Sequence, residues 1–206
     1  MSIELNRSIL IDMDGVFADF VEGFYRLAKF KYPDVYEALP APDSLTDFYI
    51  ENSIKDPELK EASKLIACDP SLFYLIPPMK DAINGMKKLK EEAAKHNIKI
   101  FICTAPHKEN KDSYKSKAEW IDSYLGREWL DQLIITRDKS IINAAVLVDD
   151  KPDPLGQCIP TWKHVLFRQS YNESITDKPF MKDWSDESIL SLILYTLTII
   201  ERQHLK

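Results

Sequence analysis

Five short apolar runs, separated by segments with helical periodicity, constrain the fold of this chain more than any other feature. They span residues 9–11, 98–103, 132–136, 145–148 and 164–167. Each run has the length and composition of a buried strand. Strands that alternate with helices are joined by right-handed crossovers, which align the strands in parallel and cover both faces of the sheet. The sequence therefore predicts a three-layer α/β core around a five-stranded parallel sheet.

A long segment interrupts this alternation after the first strand. Apolar residues recur at helical spacing over 16–30, and a second helix is predicted over 58–67. Prolines and aromatic residues are frequent between these helices, and a pair of prolines ends the region. Such a segment indicates a helical insertion that lies over the site. The two predicted units are a helical cap over 17–76 and a core made of 1–16 and 77–206.

Three further helices are predicted in the core, over 79–96, over 111–125 and from about Ser185 to the end. Ser185 is expected to be the N-cap of the last helix, because a serine hydroxyl accepts a hydrogen bond from a free backbone N–H. The apolar residues predicted to share one face of this helix are Ile189, Leu190, Ile193, Leu194 and Leu197.

Composition limits the classes of partner. The formal net charge of −6 leaves no basic footprint for a nucleic-acid polymer. Three widely spaced cysteines favour a reduced, cytoplasmic protein over a disulfide framework or a zinc site. The start, MSIELNRS, lacks the pattern of a signal peptide, and the apolar run 192–200 is too short to span a membrane. We therefore expect no membrane partner, and the sequence leaves a homodimer open.

Polar residues follow four of the five predicted strands. They are Asp12 and Asp14 after the first, Thr104 after the second, Lys139 after the third, and Asp149 and Asp150 after the fourth. These residues should converge, because the carboxyl ends of parallel strands lie at one edge of the sheet. Clustered carboxylates repel one another unless a cation neutralises them, and oxygen ligands without His or Cys favour Mg²⁺ over Zn²⁺. A lysine and a hydroxyl beside that ion suit a phosphate group, which one carboxylate could attack while another moves a proton.

The motifs DMDGV, ICT, the lysine after the third strand and DD occur in the order of the four motifs of the haloacid dehalogenase superfamily, which they resemble. FICTAP, IITRDK, VLVDDK, PTWKHVLF and DWSD extend the resemblance to the 5′(3′)-deoxyribonucleotidases, over residues 9–189. The resemblance implies a Rossmann-like core with a helical cap inserted after the first strand. It also implies Mg²⁺-dependent hydrolysis of nucleoside monophosphates through an aspartyl-phosphate, with pyrimidine deoxyribonucleotides as the preferred substrates.

The same resemblance implies a role for individual residues. Asp12 is expected to be the nucleophile and Asp14 the general acid and base, and Mg²⁺ is expected to be held by Asp12, Asp14 and Asp149. The expected phosphate-binding residues are Thr104, Ala105 and Lys139, and the expected substrate-binding residues are Phe20, Phe48, Tyr49, Ile50 and Arg137. Asp150 is expected to orient the metal ligands from outside the coordination sphere.

Two residues depart from the family pattern. Ala105 stands where a serine is expected, so a hydroxyl that could contact phosphate is replaced by a backbone N–H alone. Tyr49 stands where a tryptophan is usual, which bears on selectivity for the base. His107 and His164 are interpreted as structural or solvated, because the predicted chemistry does not require them.

Two other functions remain open at this point. A phosphatase for another small metabolite, such as a sugar phosphate, would share the core but not the base pocket. A non-catalytic member could bind a nucleotide or a partner protein, although binding alone would not require an intact nucleophile.

Overall fold

The computed structural model describes residues 6–154 and 156–204. Its strands are β1 (Ser8–Ile11), β2 (Lys99–Thr104), β3 (Leu133–Ile135), β4 (Val146–Asp149), β5 (Lys163–Phe167) and β6 (Phe180–Met181). They form one sheet in the order β3–β2–β1–β4–β5–β6, and every neighbouring pair is parallel. The predicted α/β class and parallel sheet are confirmed.

The described part of the chain has six strands, whereas the sequence predicted five. β6 pairs with the end of β5, where Phe167 lies opposite Met181. The Arg168 N–H donates to the Met181 carbonyl at 3.0 Å. A strand of two residues is too short to show an alternating pattern, so its pairing depends on the tertiary structure alone.

The described residues form seven α-helices. They are α1 (Phe20–Lys31), α2 (Pro33–Ala38), α3 (Pro57–Cys68), α4 (Leu72–Leu75), α5 (Ala82–Lys95), α6 (Ser113–Leu125) and α7 (Asp186–His204). Helices α1 to α4 fall within the segment predicted to be the cap, although the division into cap and core stays a prediction. The first helix begins at Phe20 rather than near residue 16, because the Asp19 carboxylate accepts a hydrogen bond from the Glu22 N–H at 3.0 Å and caps it.

Alternate residues of the strands pack in two hydrophobic clusters. Ile9 and Ile11 lie in the larger cluster, which includes apolar residues of α5, α6 and α7. Leu10 lies in a smaller cluster with Trp162. The Trp162 indole donates to the Lys139 carbonyl at 3.0 Å, so this smaller cluster also holds the backbone of a predicted site residue.

Two tryptophans fix the segments that connect β1 to α1 and α4 to α5. Trp184 donates through Nε1 to the Val16 carbonyl at 2.8 Å, and Trp120 donates to the Ile76 carbonyl at 2.9 Å. The Phe17 ring contacts both indoles edge-on, with centroids 5.7 Å and 5.4 Å apart respectively. The two connections are thereby held at the edge of the sheet where β1 ends.

Ser185 is the N-cap of helix α7, as predicted, but the apolar face of this helix differs from the predicted one. The Ser188 N–H donates to Ser185 Oγ at 3.4 Å, as an N-cap requires. Leu190 and Leu194 are 54% and 56% exposed, whereas Ile189, Leu192, Ile193 and Thr196 are buried. The buried face therefore includes a threonine, whose hydroxyl is satisfied by the Leu192 carbonyl at 2.8 Å. None of the helices in the described residues is both long and apolar enough to cross a membrane.

We expect Trp184→Ala to lower the free energy of unfolding by about 3–5 kcal/mol, because it removes a buried aromatic side chain and leaves the Val16 carbonyl without its donor. Leu194→Ala is the control in the neighbouring helix and should change the same quantity by less than about 0.5 kcal/mol. Urea unfolding measures both. Equal losses in the two variants would contradict the role of Trp184 in holding the connections.

Candidate active site

The candidate site lies at the carboxyl ends of the central strands. Ile11, the last residue of β1, is in register with Ile102 of β2 and Val148 of β4. The residues that follow or end these strands are therefore brought side by side, as the sequence predicted. They are Asp12, Asp14, Thr104, Asp149 and Asp150, and Lys139 joins them from the 3₁₀ helix Lys139–Ile141 after β3.

Lys139 is the electrostatic centre of this site. Its ammonium lies 2.8 Å from Asp12 Oδ1 and 2.7 Å from Asp149 Oδ2, and all three side chains are almost completely buried. Burial alone would lower the pKa of Lys139, but the two carboxylates outweigh it and hold that pKa above its ordinary value. Lys139 is therefore a fixed positive charge at the ends of β1 and β4.

Asp150 belongs to the same carboxylate group. Asp12, Asp149 and Asp150 each place a side-chain oxygen within 4.8 Å of the others. Asp150 accepts a short hydrogen bond from the Tyr171 hydroxyl, and Asp149 Oδ1 accepts one from the Lys151 N–H at 2.9 Å. Burial, together with Asp149 and Asp12, raises the pKa of Asp150 well above its ordinary value.

The carboxylate of Asp14 pairs with Lys117, a residue that the sequence analysis missed. Lys117 Nζ donates to Asp14 Oδ2 at 2.5 Å and to Thr104 Oγ1 at 3.0 Å, and the side chain is completely buried. It also lies 5.0 Å from the centroid of the Phe73 ring. Burial raises the pKa of Asp14, and the positive charge of Lys117 partly offsets that rise.

A signal for Lys117 was present in the sequence. Helix α6 buries the residues at spacings of three and four along one face, namely Ser113, Ser116, Lys117, Trp120 and Ile121. A lysine on the buried face of an amphipathic helix requires an anionic partner, since an unpaired buried ammonium is too costly. The sequence did not show which of the carboxylates would be that partner.

The charges of the site fit a divalent cation. Asp12, Asp14, Asp149 and Asp150 supply four carboxylates, whereas Lys117 and Lys139 supply two ammonium groups. Burial is the largest cause of the raised pKa values of Asp12, Asp14 and Asp150, and a neighbouring carboxylate raises each of them further. Oxygen donors without His or Cys suit Mg²⁺. The structure groups Asp150, rather than the Asp14 carboxylate, with the other two predicted ligands.

A cavity of about 540 Å³ opens above these carboxylates. The residues predicted to bind the substrate all line it, namely Phe20, Phe48, Tyr49, Ile50 and Arg137. Thr104, Ala105 and Lys139, the predicted phosphate-binding residues, line it as well. One cavity therefore joins the charged group to an aromatic wall.

The aromatic wall has a defined geometry. The Phe48 and Tyr49 rings meet edge-on with centroids 5.1 Å apart, and the Lys151 ammonium lies 5.5 Å and 5.9 Å from these two centroids. Ile50, which also lines the cavity, is buried, and Tyr49 is half exposed. Arg137 donates through Nη1 to the Pro106 carbonyl at 3.1 Å, which anchors the guanidinium at the rim.

His107 also lines the cavity, whereas the sequence analysis interpreted it as structural or solvated. Its Nδ1 lies 4.0 Å from the Cys68 sulfur, across the cavity between α3 and the segment after β2. Burial and the nearby Arg137 lower the pKa of His107, which favours the neutral imidazole. His164 lies in β5, where Nε2 is 3.1 Å from the Asp149 carbonyl.

Comparison with known proteins gives one consistent family. Residues 6–196 match the family described as 5′ nucleotidase, deoxy (pyrimidine), cytosolic type C protein (NT5C). The chain is 32% identical over 185 residues to the human mitochondrial 5′(3′)-deoxyribonucleotidase, covering 87% of this chain and 79% of the relative. It is 27% identical over 184 residues to the human cytosolic-type 5′(3′)-deoxyribonucleotidase, covering 86% of this chain and 89% of that protein.

The fold has a wider set of relatives. A haloacid dehalogenase-like family hydrolase from Streptococcus pneumoniae superimposes with a TM-score of 0.57, covering 93% of this chain and 98% of its own. Its sequence is only 13% identical, so the likeness concerns the fold alone.

We expect Lys117→Met to destabilise the protein more at pH 8 than at pH 5, both in excess chelator. Without the ammonium, the pKa of Asp14 in the folded protein should rise further above its ordinary value of 3.8. A carboxyl whose pKa is higher in the folded than in the unfolded protein stabilises the fold less as the pH increases above the unfolded pKa. The loss at pH 8 should be about 1–3 kcal/mol, less than for a fully buried pair because the Asp14 side chain is 28% exposed.

Lys115→Met is the matched control for this measurement. Lys115 lies two residues away in α6 and pairs with Glu119 at 3.5 Å at the surface, where the lysine side chain is 74% exposed. Its replacement should cost less than about 0.5 kcal/mol at either pH. A loss in Lys117→Met that does not change between pH 5 and pH 8, measured by urea unfolding, would show that Lys117 acts only by packing.

Proposed function

This chain belongs to the 5′ nucleotidase, deoxy (pyrimidine), cytosolic type C (NT5C) family, and its fold is that of the haloacid dehalogenase-like hydrolases. We propose that it hydrolyses nucleoside monophosphates, with pyrimidine deoxyribonucleotides as its preferred substrates. The observation that carries this proposal is the single cavity in which a buried Asp–Lys group faces an aromatic wall. The charged group suits a phosphate, and the wall suits a flat base.

Asp12 is the nucleophile in the proposed reaction. The Met13 N–H and Lys139 both contact Asp12 Oδ1, so Oδ2 is the oxygen left to attack phosphorus. The attack forms an acyl–phosphate bond at Asp12 and breaks the bond between phosphorus and the sugar oxygen. Lys139 and Thr104 stabilise the negative charge on the transferring oxygens.

Asp14 carries the proton in both steps. In the first it protonates the departing sugar oxygen, and in the second it accepts a proton from the water that hydrolyses the aspartyl-phosphate. Burial favours the protonated carboxyl by raising the pKa of Asp14, as the first step requires. Lys117 holds Oδ2, whereas Oδ1 is buried without a hydrogen-bond partner among the described residues and is therefore the oxygen proposed to exchange the proton.

Mg²⁺ is the proposed cofactor, held by the carboxylates of Asp12, Asp149 and Asp150. The three side-chain oxygens that lie within 4.8 Å of one another add Asp150 to the expected ligands. Asp14, whose carboxylate pairs with Lys117, stays a predicted ligand. When bound, the ion would neutralise charge on the phosphoryl group. Ala105 contributes its backbone N–H to the phosphate site in the absence of a hydroxyl.

The aromatic wall is the feature that distinguishes a nucleotidase from a general phosphatase. A sugar-phosphate phosphatase would need the carboxylates and lysines, but its substrate has no flat base to stack on Phe48 and Tyr49. Base stacking on such rings contributes roughly 1–3 kcal/mol per base. That binding energy can position the phosphorus against Asp12. The cytoplasmic location and the homodimer stay predictions.

The first experiment is a panel of phosphate esters assayed with Mg²⁺. Deoxyribonucleoside and ribonucleoside monophosphates, with the phosphate at the 5′ or the 3′ position, should be compared with sugar phosphates and p-nitrophenyl phosphate. We expect pyrimidine deoxyribonucleotides to have the highest kcat/KM and excess chelator to abolish turnover. A preference for sugar phosphates would reject the nucleotidase assignment.

Asp12→Asn should reduce turnover of every substrate to below about 1% of wild type, because the amide has the same shape but is a poor nucleophile. Asp153→Asn is the control, since Asp153 is an exposed residue that pairs with Lys178 at 2.7 Å. It should keep full activity. Retention of more than a few per cent of the rate in Asp12→Asn, with an unchanged unfolding midpoint, would exclude a covalent role for Asp12.

Tyr49→Ala and Phe20→Ala should each lower kcat/KM for dUMP or dTMP by about tenfold or more, as expected from the loss of stacking. Neither change should affect p-nitrophenyl phosphate, which has no base. Tyr74→Ala removes an exposed cap tyrosine and serves as the control. If both substrates lose activity equally while the variants remain folded, these rings only pack the cap.

A further inference from the structure

The segment 169–172, which follows β5, contacts the turn after β1, the end of β4 and the predicted cap. Gln169 donates through Nε2 to the Gly15 carbonyl at 2.6 Å, in the turn after β1. Asn172 is buried and donates through Nδ2 to the Asp150 carbonyl at 2.9 Å and to the Phe167 carbonyl at 2.8 Å. The segment is therefore fastened to the turn and to the end of β4.

The same segment also contacts the predicted cap. Ser170 donates through Oγ to the Pro42 carbonyl at 3.1 Å. The Tyr171 ring meets the Phe48 ring edge-on, with centroids 5.9 Å apart and an interplanar angle of 85°. Phe48 in turn meets Tyr49, and Tyr171 lines the same cavity, so Tyr171 extends and supports the aromatic wall.

The hydroxyl of Tyr171 reaches the other side of the site, where it donates to Asp150 Oδ2. This contact is tightly enclosed. A Cβ added at Gly15 would lie 2.7 Å from Asp150 Cγ and 3.0 Å from Tyr171 Oη, and φ of Gly15 is +74°. The turn after β1 is thus shaped to admit the hydrogen bond between Tyr171 and Asp150.

We propose that Tyr171 is a positioning residue that joins the phosphate site to the base pocket, with its hydroxyl fixing the Asp150 carboxylate and its ring fixing Phe48. The inference rests on the proposed function. Sequence analysis did not single out Tyr171, which lies in a short 3₁₀ helix without a recognisable pattern.

The chemistry of a tyrosine suits this place. Asp150 is buried beside Asp12 and Asp149, so its carboxylate needs a donor that holds one rotamer against the repulsion of its neighbours. A lysine would hold the carboxylate but would also cancel a negative charge. The neutral phenol holds it and leaves the charge available for a divalent cation.

The ring has a separate consequence. A nucleotide must reach the carboxylates with its phosphate and the aromatic wall with its base at the same time. Tyr171 contacts both ends, through Asp150 and Phe48, and thereby sets the distance between them. A substrate without a base uses only the first contact.

The test separates the hydroxyl from the ring. Tyr171→Phe removes only the hydroxyl, and Tyr171→Leu removes both it and the ring. Tyr74→Phe removes a hydroxyl from an exposed cap tyrosine and is the control. Each purified full-length variant is titrated with Mg²⁺ alone, with the shift of its unfolding midpoint as the readout, and is then assayed on dUMP and p-nitrophenyl phosphate.

We expect Tyr171→Phe to raise the Mg²⁺ concentration for half-maximal stabilisation by about tenfold or more, the usual effect of losing a partner that orients a metal ligand. At low Mg²⁺ its activity should fall equally on both substrates. Tyr171→Leu should raise the half-maximal Mg²⁺ concentration by the same factor. At saturating Mg²⁺ its activity on dUMP alone should be about two- to tenfold below that of Tyr171→Phe, because the aromatic contact is lost.

An unchanged Mg²⁺ titration in Tyr171→Phe would overturn the role of the hydroxyl. Equal losses on the two substrates in Tyr171→Leu at saturating Mg²⁺ would overturn the role of the ring. If Tyr171→Leu does not fold, Tyr171→Met also removes the hydroxyl and the ring but fills more of the space, and it replaces Tyr171→Leu in the same assays with the same expected results. If the wild-type protein hydrolyses no nucleoside monophosphate, the proposed function fails, whereas the Mg²⁺ titration still tests the hydroxyl.

Discussion

The ion pairs of Lys139 with Asp12 and Asp149 are the interaction on which the rest of the site depends. These carboxylates come from adjacent parallel strands, and they can lie this close only because a buried ammonium stands between them. Lys117 serves the same purpose for Asp14. Since four carboxylates meet two lysines, the group as a whole stays negative, and a divalent cation would complete its charge balance. The same carboxylates and lysines therefore position one another, set the charge of the site and suit it to a cation.

The surroundings of this charged group hold its parts at fixed separations. Trp184 and Trp120 hold the two connections that enter and leave the segment of α1 to α4, close to the end of β1. Tyr171 contacts Phe48 of that segment and Asp150 at the end of β4. The aromatic wall and the carboxylates thus share supports, which explains how a cavity of about 540 Å³ can present an apolar side and a charged side to one ligand.

Elements of the fold could be predicted from sequence where the apolar pattern extended over several residues. The runs around Leu10 and Leu147 are apolar and bounded by polar residues, so both their type and their place in a parallel sheet followed. β6 was missed because two residues show no period, and its pairing with β5 is a tertiary contact. The apolar face of α7 was misjudged at Leu190 and Leu194, since helical spacing indicates a stripe of residues but not which edge of it meets the core.

The same distinction applies to the candidate site. The sequence by itself determined the residues that follow the strands, from Asp12 to Asp150, because a parallel sheet brings the carboxyl ends of its strands together whatever the packing around them. Only the tertiary structure decided which charges pair. Lys117 could have faced any nearby carboxylate, and the packing of α6 directs it to Asp14. The tertiary structure likewise brings a side-chain oxygen of Asp150 within 4.8 Å of those of Asp12 and Asp149. Pairing is set by distances between side chains from separate elements, and no spacing along the chain encodes those distances.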